Sequence, residues 1–526
     1  MNRYRLSQFK LNIGEDISEI SDKLIRLYGK SKTDKKMKVS DIKIVKHSID
    51  ARRKDNVYHV YTLDFSTNFR LKLPAPNDSM YQGVECGDLP MEDSPVIVGF
   101  GPCGMFAALV LAERGYKPVV VERGSSIEER VLKVDKFWTK GILNTECNVQ
   151  FGEGGAGTFS DGKLTSGIKD PRKRKVLESF VEFGANPEIM YEQKPHIGTD
   201  ILRSVVRNLR KRITDLGGKV LFDTRLEDIE ITDGKVQGIE VFNGDKRNFI
   251  KTSNLILAIG HSARDTFSML KDIGLEMEQK PFSIGVRIEH PQKVIDEGQY
   301  GDFARFTHSH GNRSEAEALL PPAVYNLVHH CKNGRGVYTF CMCPGGEVIA
   351  AASEENGVVT NGMSYSRRNS GTANSGLLVD VRISDFGSDD VLAGVEFQRK
   401  YEKLAFSNSE GGYRPVEATW GDIKSENEKG MKLINSLPKF AIESMKEAMP
   451  NLGKKLKGFD SDKSVLKAVE TRSSSPVRLL RNKELESNIR GLMPGGEGAG
   501  YAGGIMSSAV DGIKLAEKII SKYRNF

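Results

Sequence analysis

Three glycines, Gly99, Gly101 and Gly104, stand in the pattern G-x-G-x-x-G between the apolar run "VIV" and a helix-forming stretch, with Pro102 inside the turn. The next apolar run, "PVVV", ends on Glu122. In a strand–turn–helix–strand unit each position has a physical task. The first glycine permits the tight turn, the second lets a pyrophosphate approach the backbone, and the third lets the helix pack on the strand. The helix that starts there aims its N-terminal amides and positive dipole end at phosphates. A carboxylate at Glu122 accepts hydrogen bonds from adenosine ribose hydroxyls. The expected ligand is a dinucleotide.

Three features favour a flavin over a nicotinamide carrier. The fingerprint occurs once, yet the chain goes on to build two further glycine-rich loops. "LILAIGHSARD" reads as a buried strand whose terminal Gly260 lets the chain pass close to a nucleotide. "PGGEGAGYAGGI" sets Glu497 and a run of glycines directly before the last helix. A ribityl chain needs a hydrogen-bond acceptor, and a reduced flavin ring needs positive potential near N1 and O2. A carboxylate followed by a helix N-terminus offers both. FAD is the expected cofactor, with NAD(P)H as a possible transient reductant.

Side chains that could act on a substrate are fewer. Cys341 and Cys343, in "CMC", would share one face of a strand. They read either as redox or substrate-facing thiols or as buried structural ones, and free cysteine is commonly buried. "HHCKNGRGVYTFCMC" also brings His329, His330 and Cys331 near these thiols in sequence. The run lacks the C-x₂₋₄-C and H-x₃₋₅-H spacings of zinc sites, so no metal is expected. "FGEGGAGTFSDGKL" is a backbone nest that can cradle a flavin or a phosphate, or simply pack closely. Within it Lys163 could stabilise a reduced ring, and Glu153 could serve as acid or base. Arg472 and Arg478 bring cations to an acidic substrate or a phosphate, or are surface arginines. His196 and His261 read as hydrogen-bonded structural histidines, and Cys103 as a small residue facing the phosphate loop.

The elements that must position these residues follow from length and patterning. A chain of 526 residues implies several domains, and 38% hydrophobic with 28% charged residues describes a globular protein. No apolar run suggests a membrane span, and the N-terminus lacks a signal-peptide core. Six irregularly spaced cysteines give no disulfide framework, so a cytoplasmic location is expected. The first 72 residues carry 17 basic and 9 acidic side chains, a net +8 that exceeds the +7 of the whole chain.

This region, 1–73, reads as a βαββ module, with Ile17, Ile20, Leu24 and Leu27 on one helical face and a polar connector, "SKTDKKMK", after the helix. A linker over 74–93 leads into the nucleotide fold, expected over 94–274 and 470–526. Between its halves lies a strand-rich insertion, 275–469, with a helical stretch near 422–450. The fold class is α/β: a Rossmann-type FAD-binding domain, an inserted antiparallel β-rich substrate domain and a small α+β N-terminal module.

The segments "HIGTD", "AIGHSARDTF", "KPFSIGVRIEHPQ", "YTFCMCPGG", "TNGMSYSRRNS", "ETRSSSPVR" and "GGEGAGYAGGI" run over nearly the whole chain. With them the sequence resembles the two-dinucleotide-fold flavoproteins, which include glutathione reductase, p-hydroxybenzoate hydroxylase and geranylgeranyl reductase. More closely it resembles the bacterial family of uncharacterised FAD-dependent dehydrogenases. That resemblance implies tight FAD with the C-terminal helix covering the flavin. It adds Arg123 to Gly99, Gly101, Gly104 and Glu122 on the ADP half, and places Arg130 on the phosphates. It also places Gly155, Ala156, Gly157 and Thr158 on the flavin side and the backbone of Leu226 at the adenine. Gly496, Glu497 and the amides of Gly504 and Ile505 would hold the ribityl chain and ring. The expected function is FAD-dependent oxidation or reduction of a small molecule or redox partner. The alternatives are an RNA-associated flavoprotein using the basic module, and a binding protein with structural FAD.

Overall fold

The computed structural model describes residues 1–29, 36–77, 81–310 and 318–526. Most of the expected polar connector, and 78–80 of the linker, lie outside the described residues.

Short runs rich in β-branched residues build the central sheet. Five strands lie parallel in the order Leu492–Pro494, Leu255–Leu257, Val96–Val98, Val119–Val121 and Lys219–Leu221. The three innermost are buried almost throughout, as a sheet covered on both faces requires. The fingerprint helix, Pro102–Glu113, is apolar nearly all the way round because it is covered on two sides. The last helix, Ile505–Lys522, and the helix Thr199–Asp215 both pack on it. An antiparallel meander, Arg225–Thr232, Lys235–Phe242 and Arg247–Lys251, is turned at Asp233 and Gly234. Both turn residues have positive φ (+52° and +70°), as a two-residue hairpin of this hand needs.

A second, six-stranded sheet is antiparallel, in the order Val328–His330, Gly336–Cys343, Thr372–Val381, Phe282–Pro291, Val465–Glu470 and Val416–Thr419. Helices Ala393–Asn408 and Lys439–Lys455 pack on it. Ala393–Asn408 falls in text that reads as strand-rich. Its buried side includes Gln398 and Glu402, which bond to Arg264, so the apolar stripe that would announce a helix is interrupted.

The N-terminal module has the expected order: a three-stranded antiparallel sheet, Asn2–Asn12, Tyr58–Thr67 and Val39–Asp50, with one helix, Ile20–Tyr28. Of the four apolar residues expected on its inner face only Ile20 and Leu24 are buried; Ile17 and Leu27 are exposed. Ile17–Glu19 is a 3₁₀ turn, which advances at three residues per turn and shifts Ile17 out of the helical stripe. Many of the module's cations face its own acids: Arg5 pairs with Asp64, Lys10 and Arg52 with Asp50, Lys23 with Glu15, and Arg53 with Asp55. The module is stitched to the larger fold through His47. Its N–H donates to the Tyr191 carbonyl (2.8 Å), its carbonyl accepts from the Gln193 N–H (2.9 Å), and its ring meets Glu192 (2.6 Å).

Candidate active site

Three glycine-rich loops meet at the carboxyl ends of the parallel strands, the usual binding edge of such a sheet. The first is the fingerprint turn. Gly99 has φ +99°, and a β-carbon there would lie 2.3 Å from the Ala258 carbonyl oxygen on the neighbouring strand's exit. A β-carbon on Gly104 would lie 1.9 Å from the Gly99 oxygen. Gly101 begins the helix without a side-chain cap, and Pro102 fills the first position, so the free amides point into the cleft. Glu122 is buried and accepts from the amides of Phe100 (2.8 Å), Gly124 (2.9 Å) and Gly152 (2.9 Å). One carboxylate thereby fixes the turn, its own strand end and the second loop.

The second loop, 152–159, carries positive φ at Gly152, Gly154 and Gly155. Gly154 donates to the Phe100 carbonyl (2.9 Å), which seats the loop against the fingerprint, and Gly155, Ala156 and Gly157 retain open surface there. Thr158 is buried; its carbonyl accepts from the Thr199 hydroxyl (2.6 Å).

Two residues of this region depart from expectation. Arg130, expected on the phosphates, is fully buried, and its guanidinium donates to the carbonyls of Asn148, Val149, Glu153 and Gly155. It shapes the loop from behind. Glu153, expected as an acid or base, has no accessible surface; its carboxylate accepts from the amide of Ile127 at the start of the helix Ile127–Lys140 (2.7 Å). Burial pushes it up to about 7. Arg123 ion-pairs with Asp265 (2.5 Å) and Glu146 (3.2 Å) and lies over the Phe151 ring.

The third loop, Gly495–Gly504, lies on the Gly260 turn so closely that a β-carbon on Gly498 would be 2.6 Å from the Gly260 oxygen. The amide of Gly496 donates to Asp511 (2.8 Å), itself clamped by Arg481 (2.8 Å). Gly504, φ +114°, caps the last helix, whose first residue, Ile505, touches the second loop at Gly157 (3.1 Å from an added β-carbon). Cys103 faces Gly495 and Gly496 of this loop rather than the phosphate turn.

Glu497 has about 26% of its side chain accessible, yet its low-polarity surroundings raise it to about 7. His261, 3.5 Å away, is pushed down to about 3 by burial and by Arg472, and its Nδ1 is buried with no partner among the described residues. Leu226 is buried next to a bulge in its strand, paired with Val241.

At the far end of the second loop Lys163 Nζ lies 3.6 Å from Cys343 Sγ and 3.9 Å from Asp161, which Arg368 clamps (2.7 Å). His196 Nε2 donates to the Ser366 backbone carbonyl (3.0 Å), and burial pushes the ring down to about 4. The expectation that Cys341 and Cys343 share a strand face fails. The strand bulges between Phe340 and Cys343, and Cys341 has φ +44°, so Cys341 is exposed while Cys343 is buried. Buried Arg287 holds the bulge, donating to the Cys341 carbonyl (2.9 Å) and pairing with Glu470 (2.6 Å). Arg472 is also buried, locked on Glu402 (2.7 Å), and Arg478 pairs with Glu278 (2.9 Å).

A parallel sheet with a glycine-lined first turn, an acid at the end of the second strand and a C-terminal glycine loop capped by a helix defines a dinucleotide-binding flavoprotein. The cradle also fits: Gly99, Gly104 and Gly498 stand where a β-carbon would strike neighbouring backbone, and His261, whose Nε2 faces Glu497, keeps a buried Nδ1 with no partner among the described residues. A family model described as "FAD-dependent protein, C-terminal domain-like" matches residues 281–473, and one for a domain of unknown function, DUF8436, matches 3–66. An uncharacterized protein of Clostridium beijerinckii is 44% identical over 545 aligned residues, covering 99% of each chain. The chain belongs to that protein's family, a family of FAD-dependent proteins, and FAD is its cofactor. The FixC protein of Escherichia coli is 27% identical over 38% of this chain and 44% of its own. A geranylgeranyl bacteriochlorophyll reductase-like protein of Thermoplasma acidophilum aligns with 82% of this chain and 79% of its own, at 13% identity and a TM-score of 0.36. Among the described residues no helix is long and apolar enough to cross a membrane.

Proposed function

We propose that the chain is an oxidoreductase that holds FAD tightly in this cleft and exchanges electrons with a small-molecule substrate at its antiparallel-sheet side. The observation that carries this reading is the close interlock of three loops centred near residues 100, 155 and 498: a β-carbon added at Gly155 would lie 3.0 Å from the Gly101 Cα, one at Gly496 2.9 Å from the Cys103 Cβ and one at Gly498 2.6 Å from the Gly260 oxygen.

Gly99, Gly101, Pro102, Gly104, Glu122 and Arg123 would form the ADP side, with Leu226 and Gly260 along its edge. Gly155 to Thr158, Gly496, Glu497, Gly504 and Ile505 would hold the flavin side. Bound FAD supplies the hydride or electron chemistry. The protein's own contribution is placement and charge. Lys163 brings an ammonium group to the end of the second loop, beside the thiol of Cys343. Glu497, raised to about 7, can take up or release a proton at its carboxylate near neutral pH, while His261 stays neutral. A cavity of about 410 Å³, lined by Ser283, Tyr338, Phe340 and Ser473, offers room for a small molecule, and Phe340 immediately precedes Cys341 in the chain. With a single fingerprint in the chain, NAD(P)H would act as a visiting reductant.

Anaerobic mixing of the flavin-loaded protein with NADH, NADPH and candidate substrates tests the reading. Bleaching of the flavin band by one of them is expected, slowed about tenfold or more in Lys163→Met. A flavin that no reductant bleaches would make FAD structural and the protein a binding module.

A further inference from the structure

Away from the glycine loops, the hairpin that begins on the edge strand Val328–His330 faces the helix Lys439–Lys455. His329 lies on the strand and Cys331 directly after it, with the exposed His330 between them. From the helix Glu447 reaches toward both. One ligand atom from each, the His329 ring nitrogen, Cys331 Sγ and a Glu447 oxygen, lies within 4.8 Å of the other two, and His329 Nε2 is 3.4 Å from Glu447 Oε1. A tetrahedral zinc ion with bonds of about 2.0 Å to nitrogen and oxygen and about 2.3 Å to sulfur needs ligand separations of about 3.3–3.5 Å. The native arrangement is within a side-chain adjustment of that.

We propose that His329, Cys331 and Glu447 form a binding site for a zinc-type divalent metal ion, which clips the edge of the antiparallel sheet to the helix packed on it. The donor set sets the class of metal. Thiolate with imidazole and carboxylate suits zinc and its borderline neighbours, whereas magnesium and calcium take oxygen ligands. The supporting shell is in place. The amide of Lys332 donates to both Glu447 oxygens (3.0 and 3.3 Å), orienting the carboxylate. The turn 331–335 is closed by the Cys331 amide on the Arg335 carbonyl (2.8 Å) and the Gly334 amide on the Cys331 carbonyl (2.9 Å). The thiol, 3.4 Å from the Ser444 carbonyl, is buried. On binding, the metal–sulfur bond replaces the sulfur–hydrogen bond and the proton leaves to solvent, with no change of oxidation state. Three protein ligands leave the fourth position to water.

The experiment uses the flavin-loaded full chain, stripped with a chelator and titrated with Zn²⁺ against a competing dye, then with Co²⁺ to read ligand-field bands beyond the flavin absorption. About one ion per chain with tetrahedral, thiolate-type cobalt bands is expected. Cys331→Ser should remove those bands and weaken binding at least about 100-fold. Glu447→Gln, a near-isosteric change, should weaken it about 10-fold or more with flavin content and far-UV circular dichroism unchanged. Absence of stoichiometric binding by the parent protein, or variants that bind as the parent does, would overturn the site.

Discussion

A β-carbon added to Gly512 would lie 2.0 Å from the carbonyl oxygen of Cys103 and 3.1 Å from its Cα. The last helix therefore crosses the fingerprint helix with backbone against backbone. It does so at the turn of chain whose amides face the cleft. Any side chain at 512 must separate the two helices and with them the first and third loops. Gly512→Ala is expected to destabilise the protein by roughly 1–3 kcal/mol and Gly512→Val by more. Thermal melts and flavin-to-protein absorbance ratios check both, and a variant with parental stability and full flavin would contradict this crossing.

Glu122 holds three amides from three segments. Glu122→Ala leaves all three buried donors unpaired, at about 1–3 kcal/mol for each that finds no water. Glu122→Gln keeps an acceptor but loses the charge, so its effect should be smaller. Titrating the FAD-free variants with FAD should show weaker binding in the order Gln, then Ala.

Glu153 gives a pH signature. Its native pKa, about 7, lies above the ordinary 4.5, so the folded state binds a proton that the unfolded chain releases. That contribution to stability is complete below pH 4.5 and is lost as pH rises through 7. In Glu153→Gln it is gone, while the amide oxygen can still accept from Ile127. The stability difference between parent and variant should therefore shift in the variant's favour between pH 5 and 8, followed by denaturant unfolding at each pH. Parallel curves would sink the assignment.

The six cysteines should separate by reactivity, since the thiolate is the nucleophile. Cys86 is exposed, and its hydrogen bonds with Tyr116 and Arg114 lower its pKa. Cys341 is also exposed, but its enclosed surroundings raise it to about 11. With iodoacetamide at pH 7.5, followed by peptide mass spectrometry, Cys86 should be alkylated well before Cys341. Equal rates would show that its surroundings do not hold the Cys341 thiol up.

How far the sequence led depended on whether a feature was local. The fingerprint was legible because Gly99 and Gly104 answer to collisions within one turn and its neighbour strand. The N-terminal order was legible from alternation and period. Cys341 and Cys343 were misread because a bulge held by Arg287 and Asn374 breaks the two-residue period, and neither partner is near in sequence. Arg130, which the family resemblance places on the phosphates, instead meets the carbonyls of a loop some twenty residues on. Both departures come from contacts made outside the local stretch of sequence.

The interlock of the three loops also sets a clock on synthesis. Gly104 and Ile505 are separated by roughly 400 residues, which at about 5–20 residues per second takes roughly 20–80 s to translate. Through that interval the N-terminal module can complete its own sheet, but the apolar side of the fingerprint helix has no C-terminal helix to cover it. In the proposed site, FAD would therefore meet all three loops only after the helix Ile505–Lys522 has been made.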